Sequence, residues 1–476
     1  LSTLKRFFQD TFIYGLATVL PRLMNFLLLP LLTGSLENAG YSDNTTFYIY
    51  AAFFNVLLTY GMETSFFRFF SRHKEKNKVF STAFISLTLT TILFFALVWS
   101  YNVELAHYVN LKLRYFNLLI SVIALDTLVV IPFALLRATG KPIKFSIIKV
   151  LNIALYVALN YFFLWIVPEF NIPLGILDYN HDLVTYVFIA NLIASLFTFF
   201  LLSPYFFKIQ LVFDWKILNQ LLHYGWPIMV AGLAYIINEN FDKWLIPQLL
   251  GKDINGAYAA CYKIAVFMTI FIQGFRLGAE PFFFNHAQEK NAKNTYALIM
   301  KYFVVLGSLM LVFIVAYLHV FKEMIVVRPS YWIAIEIVPV VLLANLMLGI
   351  YFNLAYWYKL TDKTRFGMYF SIIGAILTIG LNYILLPIIG FMGAAYATLM
   401  AYTAMVVISY LIGKKHYNIP YDLKNIGIYL ALGISFAFSS FYIFDNNLII
   451  GSLLVFLFLG IIYFKERKYL TQFLQR

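Results

Sequence analysis

YFNLLISVIALDTLVVIPFALL, residues 115–136, is a run of 22 residues in which Asp126, near the middle, is the one charged side chain. Wound as an α-helix, such a run is about 33 Å long and crosses a hydrocarbon core about 30 Å thick. The run is not isolated. Similar apolar stretches recur on both sides of it, and the spacing predicts fourteen spans: 12–33, 47–67, 80–99, 115–136, 145–166, 183–203, 221–250, 257–283, 297–320, 333–357, 367–388, 393–412, 426–443 and 448–464. The connections between them are short, and none reaches the size of a folded domain.

Composition gives the same answer. Of 476 residues, 62% are hydrophobic and only 12% charged, and mean hydropathy is +0.80, whereas a soluble chain of this length needs far more polar surface to cover its core. The expected class is an all-α polytopic membrane protein of about fourteen transmembrane helices. A soluble catalytic or nucleotide-binding module has nowhere to sit. The seven His show no H-E-x-x-H or other metal-ligand spacing, no Gly-rich phosphate loop is present, and no Ser, His and Asp constellation stands out. Metalloenzyme and NTPase readings are therefore set aside, and neither an enzymatic activity nor a cofactor is expected. The single cysteine, Cys261, lies in an apolar run and reads as a small core residue. The first span is too long for a signal-peptide core and lacks a small-x-small cleavage site, so it is expected to be retained.

The 35 Lys and Arg give the orientation, because cytoplasmic loops carry the excess of positive charge. With the N-terminus inside, 24 fall on cytoplasmic segments and five outside (Lys112, Arg114, Lys252, Lys322 and Arg328), with six in or at the edge of spans. Both termini are expected in the cytoplasm. The net charge of +13 is spread over many short segments with no basic, aromatic-rich domain, so nucleic acid is not an expected partner.

An internal repeat runs through the chain. A shift of 217 positions lays Pro30 on Pro247, Gly34 on Gly251, Tyr41 on Tyr258, Gly61 on Gly278, Glu63 on Glu280, Phe66 on Phe283 and Phe67 on Phe284. The shift grows to 222 where Leu159-Asn160-Tyr161 meets Leu381-Asn382-Tyr383. An even number of spans separates the equivalents, so the halves share an orientation and should be related by an axis along the membrane normal. The expected organisation is an N-lobe at 1–210, a C-lobe at 211–415 and two appended helices at 416–476. Transporters built this way commonly bind substrate between lobes that rock against one another.

Charge inside a span costs about 2.5–3.5 kcal/mol on insertion scales, so each such residue needs a partner or a wet cavity. Arg22 sits midway along the first span, and the repeat places Glu239 at the pseudo-symmetric position. Asn238-Glu239-Asn240-Phe241-Asp242-Lys243 sets Glu239, Asp242 and Lys243 on one helical face, which reads either as a cavity-facing site or as an internal ion-pair cluster. Arg276 and Glu280 are four apart and suit a local pair. Lys263 has no acid at helical spacing. Glu63 and Arg68 are five apart, a poor local pair, so each looks to another helix or to solvent. Asp126 is a lone intramembrane acid, and Lys149 is near enough to a boundary to snorkel. Pro21, Pro30, Pro227 and Pro247 fall in the first and seventh spans, where a missing backbone donor favours bending, and are the candidate hinges.

The stretches Tyr14-Gly15 through Leu29-Pro30-Leu31-Leu32-Thr33, Thr59-Tyr60-Gly61-Met62-Glu63-Thr64-Ser65-Phe66-Phe67-Arg68, Asn238 to Lys243, Gly278-Ala279-Glu280-Pro281-Phe282-Phe283, and Trp357-Tyr358-Lys359-Leu360-Thr361-Asp362-Lys363-Thr364 together resemble the polysaccharide-transporter branch, of O-antigen flippase type, of the multidrug, oligosaccharidyl-lipid and polysaccharide exporter superfamily. The resemblance covers essentially the whole chain and implies the two-lobed fold of multidrug and lipid II exporters. It implies movement of an undecaprenyl-diphosphate-linked oligosaccharide across a bacterial inner membrane, with coupling to H⁺, Na⁺ or membrane potential. Polysaccharide polymerase and glycosyltransferase machinery are the implied partners, alongside membrane lipids. Under that reading Arg22, Lys243, Lys263, Arg68 and Arg276 are candidate headgroup cations. Glu63, Asp126, Glu239, Asp242 and Glu280 are candidate coupling acids. Lipid II translocation and cation-coupled drug export are the competing readings.

Overall fold

The computed structural model describes residues 24, 26–174, 182–206, 212–286, 289, 291–361 and 363–474, with backbone alone at 277, 280, 281, 284, 285 and 468–474. The described residues form helices joined by short turns. The chain divides into two compact units, Leu1–Ile236 and Ile237–Arg476, whose boundary falls inside one continuous helix.

Unit 1 holds α1 (Phe26–Ser35), α2 (Asn38–Thr59), α3 (Met62–Arg72), α4 (Lys76–Ser100), α5 (Asn102–Tyr108), α6 (Leu113–Leu128), α7 (Val130–Ala138), α8 (Pro142–Tyr161), α9 (Val167–Phe170), α10 (Leu183–Phe206) and the N-terminal part of α11 (Trp215–Leu249). Its interior is built where α2, α6 and α10 meet. The Phe47 ring stacks on Phe188 at 3.9 Å, and Tyr115 meets Phe188 edge-on at 5.1 Å. Such aromatic pairs add to the burial of their area.

Unit 2 continues with the rest of α11, then α12 (Lys252–Tyr262), α13 (Val266–Asn285), α14 (Ala292–Ala316), α15 (Leu318–Ile325), α16 (Ile337–Leu354), α17 (Tyr356–Leu360), α18 (Arg365–Ile389), α19 (Phe391–His416), α20 (Leu423–Phe438) and α21 (Leu448–Leu474). A helix that is apolar all round belongs in an interior. The segment Ile337–Leu360, containing α16, is such a case, with 94% of its apolar window buried, against 17% for the window in α21. The central helix of unit 2 is therefore α16, and α21 is peripheral. Both α20 and α21 pack on α14, held there by a buried pair. Lys301 Nζ lies 2.7 Å from Glu466 Oε2, and the Tyr429 hydroxyl donates to Glu466 Oε1 at 2.9 Å. Cys261 is buried and its thiol donates to the Tyr331 carbonyl at 3.3 Å.

Twelve helices among the described residues are long and apolar enough to cross a membrane, and they correspond to the third through fourteenth expected spans. The chain is a multi-pass membrane protein. The first two of the fourteen expected spans are not among these twelve. Most of the first expected span, with Pro21 and Arg22, lies outside the described residues, and its remainder is the shorter α1. The second, 47–67, is not one helix. α2 ends at Tyr60, whose φ of 36° is left-handed, and α3 starts after Gly61 at φ 73°. A Cβ at Gly61 would meet the Gly225 carbonyl oxygen of α11 at 2.3 Å, so only glycine allows the turn to close on that helix.

Candidate functional site

Each unit carries its own intramembrane polar cluster. In unit 1, Asp126 of α6 is half-buried and accepts a hydrogen bond from the Ser195 hydroxyl of α10 at 2.8 Å. One helical face away, Asn152 of α8 donates to the Ala194 carbonyl at 3.0 Å and to the Thr198 hydroxyl at 2.9 Å. The Tyr48 and Tyr156 hydroxyls share a hydrogen bond of 2.8 Å, and Asn191 donates to Tyr48 at 3.3 Å. Lys149 is exposed and stands over the Phe133 ring at 4.3 Å. Glu63 is half-exposed and bound by Arg137 of α7 at 2.8 Å. Arg68 lies over the Tyr224 ring at 4.2 Å, consistent with its exposed position.

In unit 2 the acidic stripe of α11 resolves into three separate arrangements. The Asn238 amide donates to the Ser371 carbonyl and accepts from the Thr378 hydroxyl, both at 3.1 Å. Glu239 accepts from the Tyr402 hydroxyl at 2.6 Å. Asp242 and Lys243 are both buried and form an ion pair at 3.0 Å, with the Tyr258 hydroxyl donating to the second Asp242 oxygen at 2.7 Å. The Lys243 ammonium also donates to the Glu239 carbonyl at 2.9 Å and sits 3.6 Å from the Tyr262 ring centroid. Its charge is thus met by a carboxylate, a carbonyl and a ring face, as a buried ion requires, while the like charge of Lys263 lies nearby.

Lys263 differs from its neighbour. It opens the 3-10 turn Lys263–Ala265 that interrupts the span between α12 and α13, its side chain is exposed, and among the described residues it forms no ion pair within 4 Å, although the charges of Glu239 and Lys243 both act on it. A tightened turn in mid-span often marks a functional position. Arg276 is half-buried over the Phe352 ring at 4.4 Å. The side chain of Glu280 lies outside those described, so the Arg276–Glu280 pair does too. Pro30 falls in α1, and α11 runs unbroken through Pro227 and Pro247.

Geometry therefore sorts the acids. Glu63 and Asp242 each hold a cation in an ion pair, whereas among the described residues Asp126 and Glu239 form none within 4 Å: each accepts a hydroxyl hydrogen bond, with Lys149 and Lys263 acting on their charges from farther away. Sequence reasoning missed Tyr48, Asn152, Tyr156, Ser195, Tyr258 and Tyr402, because uncharged polar residues leave hydropathy almost unchanged. The asparagines at 152, 160 and 191 were the available signal.

A family model described as polysaccharide biosynthesis protein matches residues 7–278, more than half of the chain, and a second model, MatE, matches residues 227–384. Among solved structures, an inward-facing multidrug resistance MATE family transporter of the MOP superfamily superposes with a TM-score of 0.69 at 13% identity, covering 83% of this chain and 94% of that one. An outward-facing transporter of the same description gives 0.60 at 14%, covering 86% and 95%. A MOP superfamily transporter from Pyrococcus furiosus, with a binding pocket of reverse polarity, gives 0.59 at 12%, covering 85% and 95%. At these identities the likeness is one of fold. No curated protein matches the chain.

Proposed function

Because the chain belongs to the polysaccharide biosynthesis protein family, we propose that it is a flippase that carries an undecaprenyl-diphosphate-linked oligosaccharide from the cytoplasmic to the periplasmic leaflet of a bacterial inner membrane by alternating access. The family and fold are those of transporters, not enzymes. The observation that carries the substrate reading is Lys263, an exposed ammonium in mid-span that forms no ion pair within 4 Å among the described residues, near Glu239 and beside a Lys243 that Asp242 already neutralises. A diphosphate offers the oxygens that such a cation lacks, as charge-assisted acceptors. The prenyl tail stays in lipid while the glycan crosses through the protein.

Asp126 and Glu239 are the candidates for coupling to H⁺ or Na⁺. Neither forms an ion pair within 4 Å with a described lysine or arginine, each accepts a hydrogen bond from a hydroxyl, and each has a lysine near enough to act on its charge, Lys149 for Asp126 and Lys263 for Glu239. The excess of cationic loops on one side supports cytoplasmic termini, and the glycan machinery supplies the partners, a polymerase and glycosyltransferases.

The test is reconstitution in vesicles with a fluorescent prenyl-diphosphate oligosaccharide. Leaflet exchange above protein-free controls that is lost in Lys263→Gln supports the reading. No exchange with any of several glycans, lipid II included, sinks it. The match of the MatE model to residues 227–384 favours one second reading, export of organic cations. Dye efflux that survives Lys263→Gln but fails in Glu239→Gln would select it, since a cationic drug has no use for an ammonium.

A further inference from the structure

Lys263 is an exposed side chain carried on a buried stretch of unit 2. Ala257 to Cys261 before it, and Ile264 and Ala265 after it, are at most 1% exposed. A lysine stem is long and flexible, so the reach of its ammonium depends on how firmly the backbone beneath it is held. Here that backbone is held from three sides. Tyr258 and Tyr262, one turn apart on α12, share a face turned to α11. The Tyr258 hydroxyl donates to Asp242 Oδ2 at 2.7 Å, and the Tyr262 ring centroid lies 3.6 Å from the Lys243 ammonium. The Cys261 thiol reaches the Tyr331 carbonyl in the segment Pro329–Ala334. Past the turn, the Asn345 amide of α16 donates to the Ala265 carbonyl at 3.5 Å.

The internal repeat supplies a comparison. At the shift of 217 the counterpart of Lys263 is Thr46, those of Asp242 and Lys243 are Asn25 and Phe26, and that of Tyr262 is Thr45. Only Tyr258 keeps its identity, as Tyr41. At that place in unit 1, α2 runs from Asn38 to Thr59 as one α-helix, with no 3-10 turn. The mid-span cation, the break in the helix and the buried acid–base pair thus occur together in unit 2, and none of them stands at the corresponding positions of unit 1. A buried ion pair adds little to stability over an apolar pair of the same volume, and fixing one geometry among several is its better-attested use.

We propose that Tyr258 and Tyr262, with the Asp242–Lys243 pair they pack on, are positioning residues that fix the end of α12 against α11 and thereby place the Lys263 ammonium for the diphosphate. The inference rests on the headgroup reading of Lys263. The tyrosines touch no cargo and act only through that lysine.

The experiment measures binding of inorganic pyrophosphate to the full chain in detergent by calorimetry, at a temperature where every variant is folded by its own unfolding curve. Tyr258→Phe and Tyr262→Leu change no charge, so neither alters the electrostatic attraction of the site for an anion. Each is expected to weaken binding about tenfold, a coupling of the size found between residues of one network. On a Lys263→Gln background, itself weakened, neither is expected to weaken binding further. A purely structural role predicts a lower unfolding temperature with unchanged affinity. If Tyr258→Phe does not fold, Tyr262→Leu reads the same mount. Binding that Lys263→Gln leaves intact overturns the headgroup reading, and this inference with it. Binding that Lys263→Gln weakens but both tyrosine variants leave intact, or that they weaken equally on the Lys263→Gln background, overturns the positioning role alone.

Discussion

Two neighbouring lysines, Lys243 and Lys263, show how much a side chain's role depends on what surrounds it. Both are cations within apolar spans, yet one is buried in an ion pair with Asp242 and the other is exposed, with Glu239 acting on its charge but no ion pair within 4 Å among the described residues. Removing one member of a buried pair leaves the other charge uncompensated, at about 3–5 kcal/mol. Asp242→Asn and Lys243→Ala are therefore each expected to lower the unfolding temperature in detergent sharply, whereas Asp242→Leu combined with Lys243→Met should restore most of it. Lys263→Gln should leave unfolding unchanged while abolishing flipping. A Lys263→Gln protein that unfolds as early as Lys243→Ala would assign both lysines to stability. That charges lie inside spans is legible from hydropathy alone. Their partners are not, because helical spacing sees only three or four residues ahead. Glu63 finds Arg137 at a separation of 74 residues, Asp126 finds Ser195 at 69, and Glu239 finds Tyr402 at 163. Only tertiary packing brings these together.

Helices fail to follow their hydropathy where another element intrudes. Residues 47–67 read as one span because Tyr60 and Gly61 barely change the average, and a helix tolerates a single glycine at about 1 kcal/mol. The break falls where Tyr60 and Gly61 both take positive φ, and there the backbone of α11 at Gly225 approaches so closely that Gly61 has no room for a methyl group. Gly140 is the natural control, at φ 65° but with nothing within 4 Å of a built Cβ. Gly140→Ala should cost about 1–2 kcal/mol, the left-handed penalty alone. Gly61→Ala should cost clearly more and should loosen the α3–α11 contact, read as faster amide exchange in α3. Equal costs at the two sites would mean that the close approach to Gly225 is unimportant. The pair that fastens α21 was equally hidden, because Lys301 and Glu466 lie 165 residues apart. Both are buried, so Glu466→Gln is expected to destabilise unit 2 and expose α20 and α21 to proteolysis.

For the whole molecule, the membrane class and twelve of the spans follow from composition and run length, because hydrocarbon imposes a constraint that a sequence must satisfy locally. Function is carried instead by the few departures from that constraint, and a departure can be read as driving transport only if its charge changes during the cycle. Glu63 and Asp242, held by cations at ion-pair distance, stabilise one charge state, while Asp126 and Glu239 form no ion pair within 4 Å among the described residues and feel Lys149 and Lys263 only from farther away. One elementary charge carried across 100 mV supplies about 2.3 kcal/mol, enough for roughly fiftyfold accumulation of cargo in one leaflet. In vesicles with an imposed proton or sodium gradient, the wild-type protein is expected to drive labelled lipid-linked glycan past equal distribution. Asp126→Asn or Glu239→Gln, whichever removes the coupling site, should still equilibrate the two leaflets but lose that accumulation. Loss of equilibration itself would make the acid part of the path, and unchanged accumulation in both variants would move coupling away from these two residues.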